Sequence, residues 1–247
     1  MSMLEVKDLQ VYYGVIQALK GISFEVEQGD VVALIGANGA GKTTTLHTIT
    51  GLLPSKAGNI TFEGTDITHV PGYKLVSMGI AHVPEGRRVF ASLTVLQNLK
   101  MGAYTRNDKK EIEDTIEMIY KRFPRLKERK NQLAGTLSGG EQQRIALARA
   151  ILKDAPIVVL DEASSFADPE NEAKIQKAFE ALMKGKTVLM IAHRLSTVRN
   201  MDRIVVIRDG EIAEAGKHDE LLEKGGVYAA MWEEYQKAAQ WKVGGAA

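Results

Sequence analysis

Eight residues near the N-terminus have the types and the spacing of a phosphate-binding loop. They are Gly36-Ala-Asn-Gly-Ala-Gly-Lys-Thr43, which fit the pattern G-x-x-x-x-G-K-[ST]. Glycines let the backbone N–H groups of such a loop close around phosphate oxygens, and the helix that follows adds its positive N-terminus. Lys42 can reach the β- and γ-phosphates, and the Thr43 hydroxyl can contact Mg²⁺. The loop predicts a protein that binds a nucleoside triphosphate, and an ordinary glycine-rich turn is the alternative.

Three further candidates for chemistry stand at the ends of apolar segments. Ile157–Leu160 is followed directly by Asp161-Glu162, and Thr187–Ile191 is followed by Ala192-His193. Sheets of α/β proteins place their ligands at the carboxyl ends of the strands. We therefore expect the two carboxylates and the histidine beside the phosphates, with surface acids and a structural histidine as the alternatives.

The segments on either side of the phosphate-binding loop are those that the motif requires. Val31–Ile35 is short and rich in β-branched residues, which predicts a buried strand, and Leu46 and Ile49 follow at helical spacing. Residues 3–27 predict strands with alternating burial. Within them Tyr13 is a candidate for stacking on the nucleotide base, and a half-buried strand tyrosine is the alternative.

The middle of the chain has the periodicity of helices. Residues 86–137 read as a helical insertion, because they contain the stripe Ile112, Ile116, Ile119 and Tyr120. Ser138 and Glu141 have the spacing of a capping box at the start of another helix, which runs to Asp154. Gly139 and Gly140 are poor helix formers, which makes sense if their N–H groups must approach a ligand.

The C-terminal part predicts a hairpin and a packed helix. Arg203–Arg208 and Glu211–Ala215 read as strands joined by the turn Asp209-Gly210. A stripe at helical spacing then indicates packing against the body of the protein: Val227, Tyr228, Met231, Trp232 and Tyr235. Residues 244–247 read as a tail without structure.

Composition limits the class of protein. The chain has 247 residues, 45% of them hydrophobic and 26% charged, with a net charge of +1 and no cysteine. These values fit a globular protein, give no support to nucleic-acid binding, and exclude disulfides and thiolate metal sites. No apolar stretch reaches the length of a membrane span and no secretory signal begins the chain. We expect a cytoplasmic protein, in which any membrane role comes through a partner.

The motifs together resemble the ATP-binding cassette family. The phosphate-binding loop, Leu137-Ser-Gly-Gly-Glu-Gln-Gln143, Asp161-Glu162 and His193 occur in the order and spacing of that family, and Leu-Ser-Gly-Gly is its signature. The resemblance covers almost the whole chain. It implies an α/β fold of the P-loop NTPase class, with an N-terminal antiparallel β portion. A single domain over residues 1–247 would comprise a RecA-like core over 1–85 and 144–243, a helical subdomain over 86–143, and a tail over 244–247.

The resemblance also implies ATP and Mg²⁺ as ligands and a role for each matching residue. The catalytic residues would be Lys42, Glu162, which polarises the attacking water, and His193, which contacts the γ-phosphate. The nucleotide would be bound by Tyr13, stacked on adenine, with Asn38, Gly39, Gly41, Lys42, Thr43 and Thr44. The partner's nucleotide would be reached by Ser138 and Gly140, with Asp168 in the loop that communicates across the dimer. The metal would be contacted by Thr43, Asp161 and Glu85, which replaces the usual glutamine and changes the charge around the ion.

The implied function is ATP hydrolysis by two cassettes arranged head to tail, which powers transport through membrane permease subunits. Residues 1 to about 143 resemble the ATP-binding subunit of a branched-chain amino acid importer. From about Arg144 the chain resembles an exporter domain instead, with Asp161-Glu-Ala-Ser-Ser165 and Ile191-Ala-His-Arg-Leu-Ser196. This pattern favours an engineered or recombined chimera, and a natural mosaic is the alternative.

Three rival functions follow from the same residues. The first is a chimeric cassette that folds and binds ATP but hydrolyses it weakly and couples to no transporter. The second is a cassette ATPase of DNA repair or translation, which would call for a coiled-coil insertion, a zinc module or a second cassette, and the sequence contains none. The third, a P-loop kinase or GTPase, leaves Leu137–Gln143 unexplained.

Overall fold

The computed structural model describes residues 2–86, 88–161, 183, 185–192 and 195–244. The chain divides into two compact units, of which the first comprises Met1–Val70 and Leu189–Ala247 and the second comprises Pro71–Val188. The proposed division into a core and a helical subdomain within one domain stays a prediction. Within the described ranges, no helix is long and apolar enough to cross a membrane.

The elements are numbered here along the chain. The first part of unit one contains β1 (Ser2–Tyr13), β2 (Ile16–Glu27), β3 (Val31–Ile35), α1 (Lys42–Ile49), β4 (Ala57–Phe62) and β5 (Thr65–Asp66). Unit two contains α2 (Gly72–Met78), β6 (Ile80–Val83), α3 (Val95–Gly102), α4 (Lys109–Arg122), α5 (Pro124–Glu128), a 3₁₀ turn (Ala134–Thr136), α6 (Gly139–Lys153) and β7 (Ile157–Leu160). β8 (Thr187–Ile191) contains the boundary, and unit one ends with α7 (Leu195–Val198), β9 (Arg203–Arg208), β10 (Glu211–Gly216), α8 (His218–Glu223) and α9 (Val227–Gly244).

The strands predicted over residues 3–27 form one long antiparallel hairpin. β1 pairs with β2 in a register that places Val6 opposite Phe24, and the sheet order is β2-β1-β4-β5. Ile22, Phe24 and Val26 are buried while the residues between them are exposed. The two-residue period of the side chains therefore puts one face of this sheet into the core.

The predicted buried strand before the phosphate-binding loop is confirmed. β3 pairs in parallel with β9, so that Ile35 lies opposite Val206, and β9 pairs antiparallel with β10. The N–H of Ala192, just after β8, donates to the carbonyl of Leu34 at 3.1 Å. Continuous apolar runs of this kind are typical of strands that are covered on both faces.

Unit two combines a parallel strand pair with the predicted helices. β6 pairs with β7 in parallel, from Ile80 opposite Ile157 to Val83 opposite Leu160. The helical insertion is confirmed as α3, α4 and α5, and α6 ends where expected, with Asp154 in a left-handed conformation as its C-cap. On α4, Ile116, Ile119 and Tyr120 are buried, so the predicted stripe is its inner face.

The C-terminal predictions are confirmed with one correction. Asp209 and Gly210 both have positive φ, as a two-residue hairpin turn requires. Tyr228 is fully buried, and its hydroxyl lies 2.6 Å from Nδ1 of His218. Gly244 belongs to α9 rather than to an unstructured tail, and residues 245–247 lie outside the described part of the chain. A single glycine lowers helix stability by only about 1 kcal/mol, so it does not by itself exclude a helical conformation.

The start of α9 is held by one carboxylate. The two oxygens of Glu214, on β10, accept hydrogen bonds from the backbone N–H groups of Val227 and Tyr228, at 2.9 Å each. These donors have no intrahelical acceptor, since the first turn of any helix leaves its N–H groups unpaired. A negative charge also interacts favourably with the helix N-terminus. Glu214 therefore fixes α9 to the β9–β10 hairpin.

We expect Glu214→Gln to lower the free energy of unfolding by about 1–2 kcal/mol, because the amide keeps one acceptor but loses the charge and the second acceptor. The matched control is Glu211→Gln, an exposed glutamate on the same strand. Urea unfolding followed by circular dichroism measures both. Equal stability of the two variants would show that the carboxylate does not hold α9.

Candidate functional site

The phosphate-binding loop begins where the chain leaves β3. Gly36 has φ +149°, and a Cβ built on it would lie 2.1 Å from the carbonyl oxygen of Ile207 on β9. No Cβ atom can lie that close to a carbonyl oxygen. The glycine is therefore required because two backbone segments pass against each other, and not only because a ligand must approach.

The other two glycines of the motif differ in whether a Cβ would have room. At Gly41, the N-cap of α1, a Cβ would lie 2.7 Å from Cδ2 of Leu19, and φ is +112°. At Gly39, φ is +81° and nothing lies within 4 Å of a Cβ. Ala37, Asn38 and Gly39 are all exposed. The protein thus fills the space around the ends of the loop and leaves its middle open, where a polyphosphate would lie.

Lys42 provides a cation inside this loop. Its side chain is 6% exposed, and Nζ donates to the carbonyl oxygens of Gly36 and Ala37 at 2.9 Å each. The backbone of the loop therefore helps to hold the ammonium group in place. Phosphate oxygens compete well for such a group, since hydrogen bonds between charged partners are about twice as strong as neutral ones.

Tyr13 lies at the edge of the loop, as its predicted role requires. It ends β1, is 49% exposed, and its hydroxyl is 3.4 Å from Oγ1 of Thr44 on α1. Thr43 is half-buried and Thr44 is buried. The structure thus brings Tyr13 and the whole loop together within unit one, while stacking on adenine stays a prediction.

The turn of the β9–β10 hairpin also belongs to this site, and the sequence did not reveal it. The N–H of Gly210 donates to the carbonyl of Ala40 in the loop at 3.1 Å, and the N–H of Lys20 donates to the carbonyl of Gly210 at 2.9 Å. A Cβ on Gly210 would lie 2.6 Å from the carbonyl oxygen of Ala18. The pair Asp209-Gly210 predicted a turn, but Ala40, to which the turn bonds, lies 170 positions earlier in the sequence.

Two candidate metal ligands in unit two follow the ends of neighbouring strands. Asp161 follows β7, is 1% exposed, and its N–H donates to the carbonyl of Val83 at the end of β6, at 2.9 Å. Glu85 comes two residues after Val83 and is exposed. Both carboxylates thus follow the carboxyl ends of neighbouring parallel strands. Carboxylate oxygens are suitable donors for Mg²⁺, so the chemistry of these two residues fits the ion.

The signature segment is organised by Glu141. Its Oε2 accepts hydrogen bonds from the N–H of Ser138 at 3.0 Å and from the hydroxyl of Ser138 at 2.8 Å, and its Oε1 lies 3.4 Å from Nε of Arg129. Burial alone would raise the pKa of Glu141. The hydrogen bonds from Ser138 and the charges of Arg129 and Arg144 outweigh burial, so the pKa lies below its usual value. The predicted capping pair is confirmed on the glutamate side. Ser138 itself is exposed.

Three predicted residues cannot be placed. Glu162, Asp168 and His193 lie outside the described residues, so their roles stay predictions. Gly140 is the second residue of α6 and is half-buried, in keeping with a helix start that a ligand can reach.

Comparisons with known proteins identify the family. Residues 19–165 match the family model described as ABC transporter. The chain is 41% identical over 212 residues to the high-affinity branched-chain amino acid transport ATP-binding protein BraG of Pseudomonas aeruginosa, covering 85% of this chain and 91% of that protein. It is 39% identical over 238 residues to the ATP-dependent lipid A-core flippase of Vibrio vulnificus, covering 92% of this chain and 40% of the flippase.

Solved structures agree with this result. An ATP-binding subunit of an ABC transporter superposes with a TM-score of 0.84 at 28% identity, over 96% of this chain and 99% of that one. A bacterial Atm1-family ABC exporter with ATP bound gives a TM-score of 0.81 at 33% identity, over 94% of this chain and 41% of that one.

Relatives of both transport directions match most of the chain. The BraG match covers 85% of it and the flippase match 92%, so neither comparison divides the chain near residue 143. The two-part origin therefore stays a prediction. The loop geometry, the signature segment and these matches lead to one conclusion: the chain belongs to the ABC transporter family, as an ATP-binding domain of the type that hydrolyses ATP.

Proposed function

We propose that the chain hydrolyses ATP in a head-to-tail dimer of two cassettes and thereby powers transport of a substrate across a membrane. The observation that carries this proposal is the loop in unit one. Its two outer glycines are required by contacts with the protein, its middle is open, and Lys42 is already held inside it. The cationic group therefore already lies in the loop, where it can exchange its carbonyl acceptors for phosphate oxygens.

Each described residue around the loop has a distinct role in binding. The N–H groups of residues 38–44 and the N-terminus of α1 receive the β- and γ-phosphates, and Lys42 moves from the loop carbonyls to a phosphate oxygen. The exposed ring of Tyr13 stacks on adenine. The Thr43 hydroxyl would contact Mg²⁺, which neutralises charge on the phosphates when it is bound. Asp161 and Glu85 stay candidate Mg²⁺ ligands by their position in the sequence.

Hydrolysis requires a positioned water and a stabilised phosphoryl group. We assign the orientation of the water to Glu162 and the contact with the γ-phosphate to His193. Lys42 stabilises the charge that is spread over the transferring group. The catalytic contribution of the protein is thus mainly electrostatic.

The dimer follows from the exposed signature segment. Ser138 and Gly140 stand at the start of a fifteen-residue helix, and Ser138 is exposed and Gly140 half-buried, so a ligand that another molecule carries can reach this turn. Glu141 holds this turn in place. We assign these groups to the γ-phosphate in the partner's loop, and Asp168 to communication between the two sites.

The transport direction and the partner belong to the same proposal. The N-terminal part resembles an amino acid importer subunit, and BraG is a transport protein for branched-chain amino acids. We therefore propose import of an amino acid, through permease subunits that hold the chain at the cytoplasmic face of the membrane. The competing proposal is a chimeric cassette that binds ATP but couples to no transporter, because flippases match at a similar identity.

The experiment that tests this function is steady-state ATP hydrolysis measured against protein concentration. A shared site predicts that the specific rate rises with concentration, because only dimers hydrolyse. Ser138→Arg and Lys42→Ala should each abolish the rate alone. Mixing them should restore part of it, since one of the two sites in a mixed dimer is intact. Absence of rescue would argue against the head-to-tail arrangement, and no hydrolysis by the native chain at any concentration would favour the uncoupled chimera.

Glu162→Gln tests the assignment of the water-orienting group. The amide keeps the shape and loses the charge, so we expect hydrolysis to fall by about a hundredfold or more while ATP binding is kept. An ATP-dependent dimer should accumulate, which light scattering detects. Near-normal turnover would remove Glu162 from the mechanism.

Gly210→Ala tests whether the hairpin turn positions the phosphate-binding loop. The added Cβ collides with the carbonyl of Ala18 and displaces the N–H that bonds to Ala40. We expect ATP affinity to fall by about tenfold, or about 1.4 kcal/mol. Gly64→Ala is the control, because Gly64 has a similar φ of +76° but open space around it. If both variants bind ATP equally well, the turn does not position the loop.

A further inference from the structure

A cleft in unit two lies between a break in the helices and the start of α6. It has a volume of about 700 Å³. α4 ends at Arg122 and α5 begins at Pro124, because the residue before a proline disfavours the helical conformation. Phe123 between them has a non-helical backbone, with φ −125° and ψ 74°, and its side chain is buried. Arg122 and Arg125, on either side of this break, both line the cleft.

The cleft carries more positive than negative charge. Its charged lining consists of four arginines and two glutamates: Arg122, Arg125, Arg129, Arg144, Glu128 and Glu141. Arg144 is buried and Arg129 is half-buried, while Arg122 and Arg125 are exposed. The lining therefore has an excess of two positive charges. A cleft with an excess of one sign of charge raises the local concentration of ions of the opposite sign.

The ion pairs within the cleft are long. The closest approach of the Arg129 guanidinium to Glu141 is 3.4 Å, and that of the Arg125 guanidinium to Glu128 is 3.6 Å. Charge-assisted hydrogen bonds between such groups are normally about 2.7–2.9 Å. Within the described part of the chain, Arg122 makes no ion pair. These three guanidinium groups can therefore donate to a further anion without losing a strong bond.

The chemistry of the lining favours a phosphate group over a single carboxylate. A guanidinium group donates two parallel N–H bonds to phosphate, and the several oxygens of one phosphate can accept from more than one arginine. A phosphate group carries a charge of about −1.5 to −2 near pH 7. It therefore compensates for the whole excess charge of the cleft, whereas one carboxylate compensates for half of it.

We propose that this cleft binds a phosphate dianion, and that the dianion is the inorganic phosphate released by ATP hydrolysis. Ser138 lines the same cleft as the arginines. The proposed function places the γ-phosphate of the partner's nucleotide at Ser138, so the released phosphate starts at the edge of the cleft. The source of the phosphate rests on the proposed function. The phosphate chemistry of the ligand rests on the cleft alone.

Occupation of the cleft reaches the signature segment through Glu141. Oε2 of Glu141 holds the N–H and the hydroxyl of Ser138, while its Oε1 faces Arg129. A phosphate that draws the Arg129 guanidinium towards itself removes a counter-charge from Glu141. The carboxylate then holds Ser138 less firmly. Phosphate that stays in the cleft therefore slows the next round of hydrolysis.

Binding is tested on the full chain after its phosphate-binding loop has been filled with ADP and Mg²⁺, since the loop is itself a site for phosphate. Inorganic phosphate is the probe, and chloride at equal ionic strength is the reference. The NMR signals of the arginine side chains report the result. We expect saturable shifts of the Arg122 and Arg129 signals at millimolar phosphate. Shifts that do not saturate, or equal shifts with chloride, overturn the proposal.

Arg122→Gln separates the cleft from the general charge of the surface. We expect phosphate to bind about tenfold more weakly, because the variant loses charge-assisted bonds to the ligand. The matched control is Lys121→Gln, which loses the same charge one residue earlier, at an exposed position that does not line the cleft. Its affinity should stay close to that of the native chain. An equal loss of affinity in both variants overturns the proposal.

Arg129→Gln is a second variant of the cleft, and it should weaken phosphate binding as well. Thermal unfolding of the same samples shows that all variants are folded. Native affinity in both arginine variants would contradict the proposal even if one of them were less stable.

Product inhibition identifies the source of the phosphate. Added inorganic phosphate should lower the steady-state rate of the native chain, and the same concentration should lower the rate of Arg122→Gln severalfold less. Glycerol phosphate is the comparison, because it carries the phosphate monoester of a lipid headgroup. Inhibition by glycerol phosphate but not by inorganic phosphate overturns the assignment to the product.

The binding measurement needs no hydrolysis, so the two proposals can fail separately. A chain that binds phosphate in the cleft but never hydrolyses ATP contradicts the proposed function and leaves the phosphate site intact. A chain that hydrolyses ATP and binds no phosphate in the cleft contradicts only the present inference.

Discussion

The close passage of Gly36 against the carbonyl of Ile207 is the constraint on which unit one depends. A Cβ at Gly36 would lie 2.1 Å from that oxygen, so the loop can leave β3 only where the chain has no side chain. The parallel pairing of β3 with β9 brings the two backbones together, and the turn at Gly210 then bonds to the loop at Ala40. The sheet therefore does more than support the loop, because the spacing of β3 and β9 fixes how the loop leaves β3.

In unit two the start of α6 is fixed by Glu141. Its Oε2 accepts hydrogen bonds from the N–H and the hydroxyl of Ser138, and its Oε1 lies 3.4 Å from Nε of Arg129. The fifteen residues of α6 span about 22 Å. The exposed Ser138 is therefore positioned by a carboxylate of its own helix.

The predictions that were confirmed rest on patterns among residues that are close in the sequence. The strand at Val31–Ile35 and the helix after Ser138 follow from local periodicity, and the loop follows from a fixed spacing of glycines. The bond between Gly210 and Ala40, and the hydrogen bonds of the buried Asn98 to the backbone around Phe90, join segments whose pairing has no local signature.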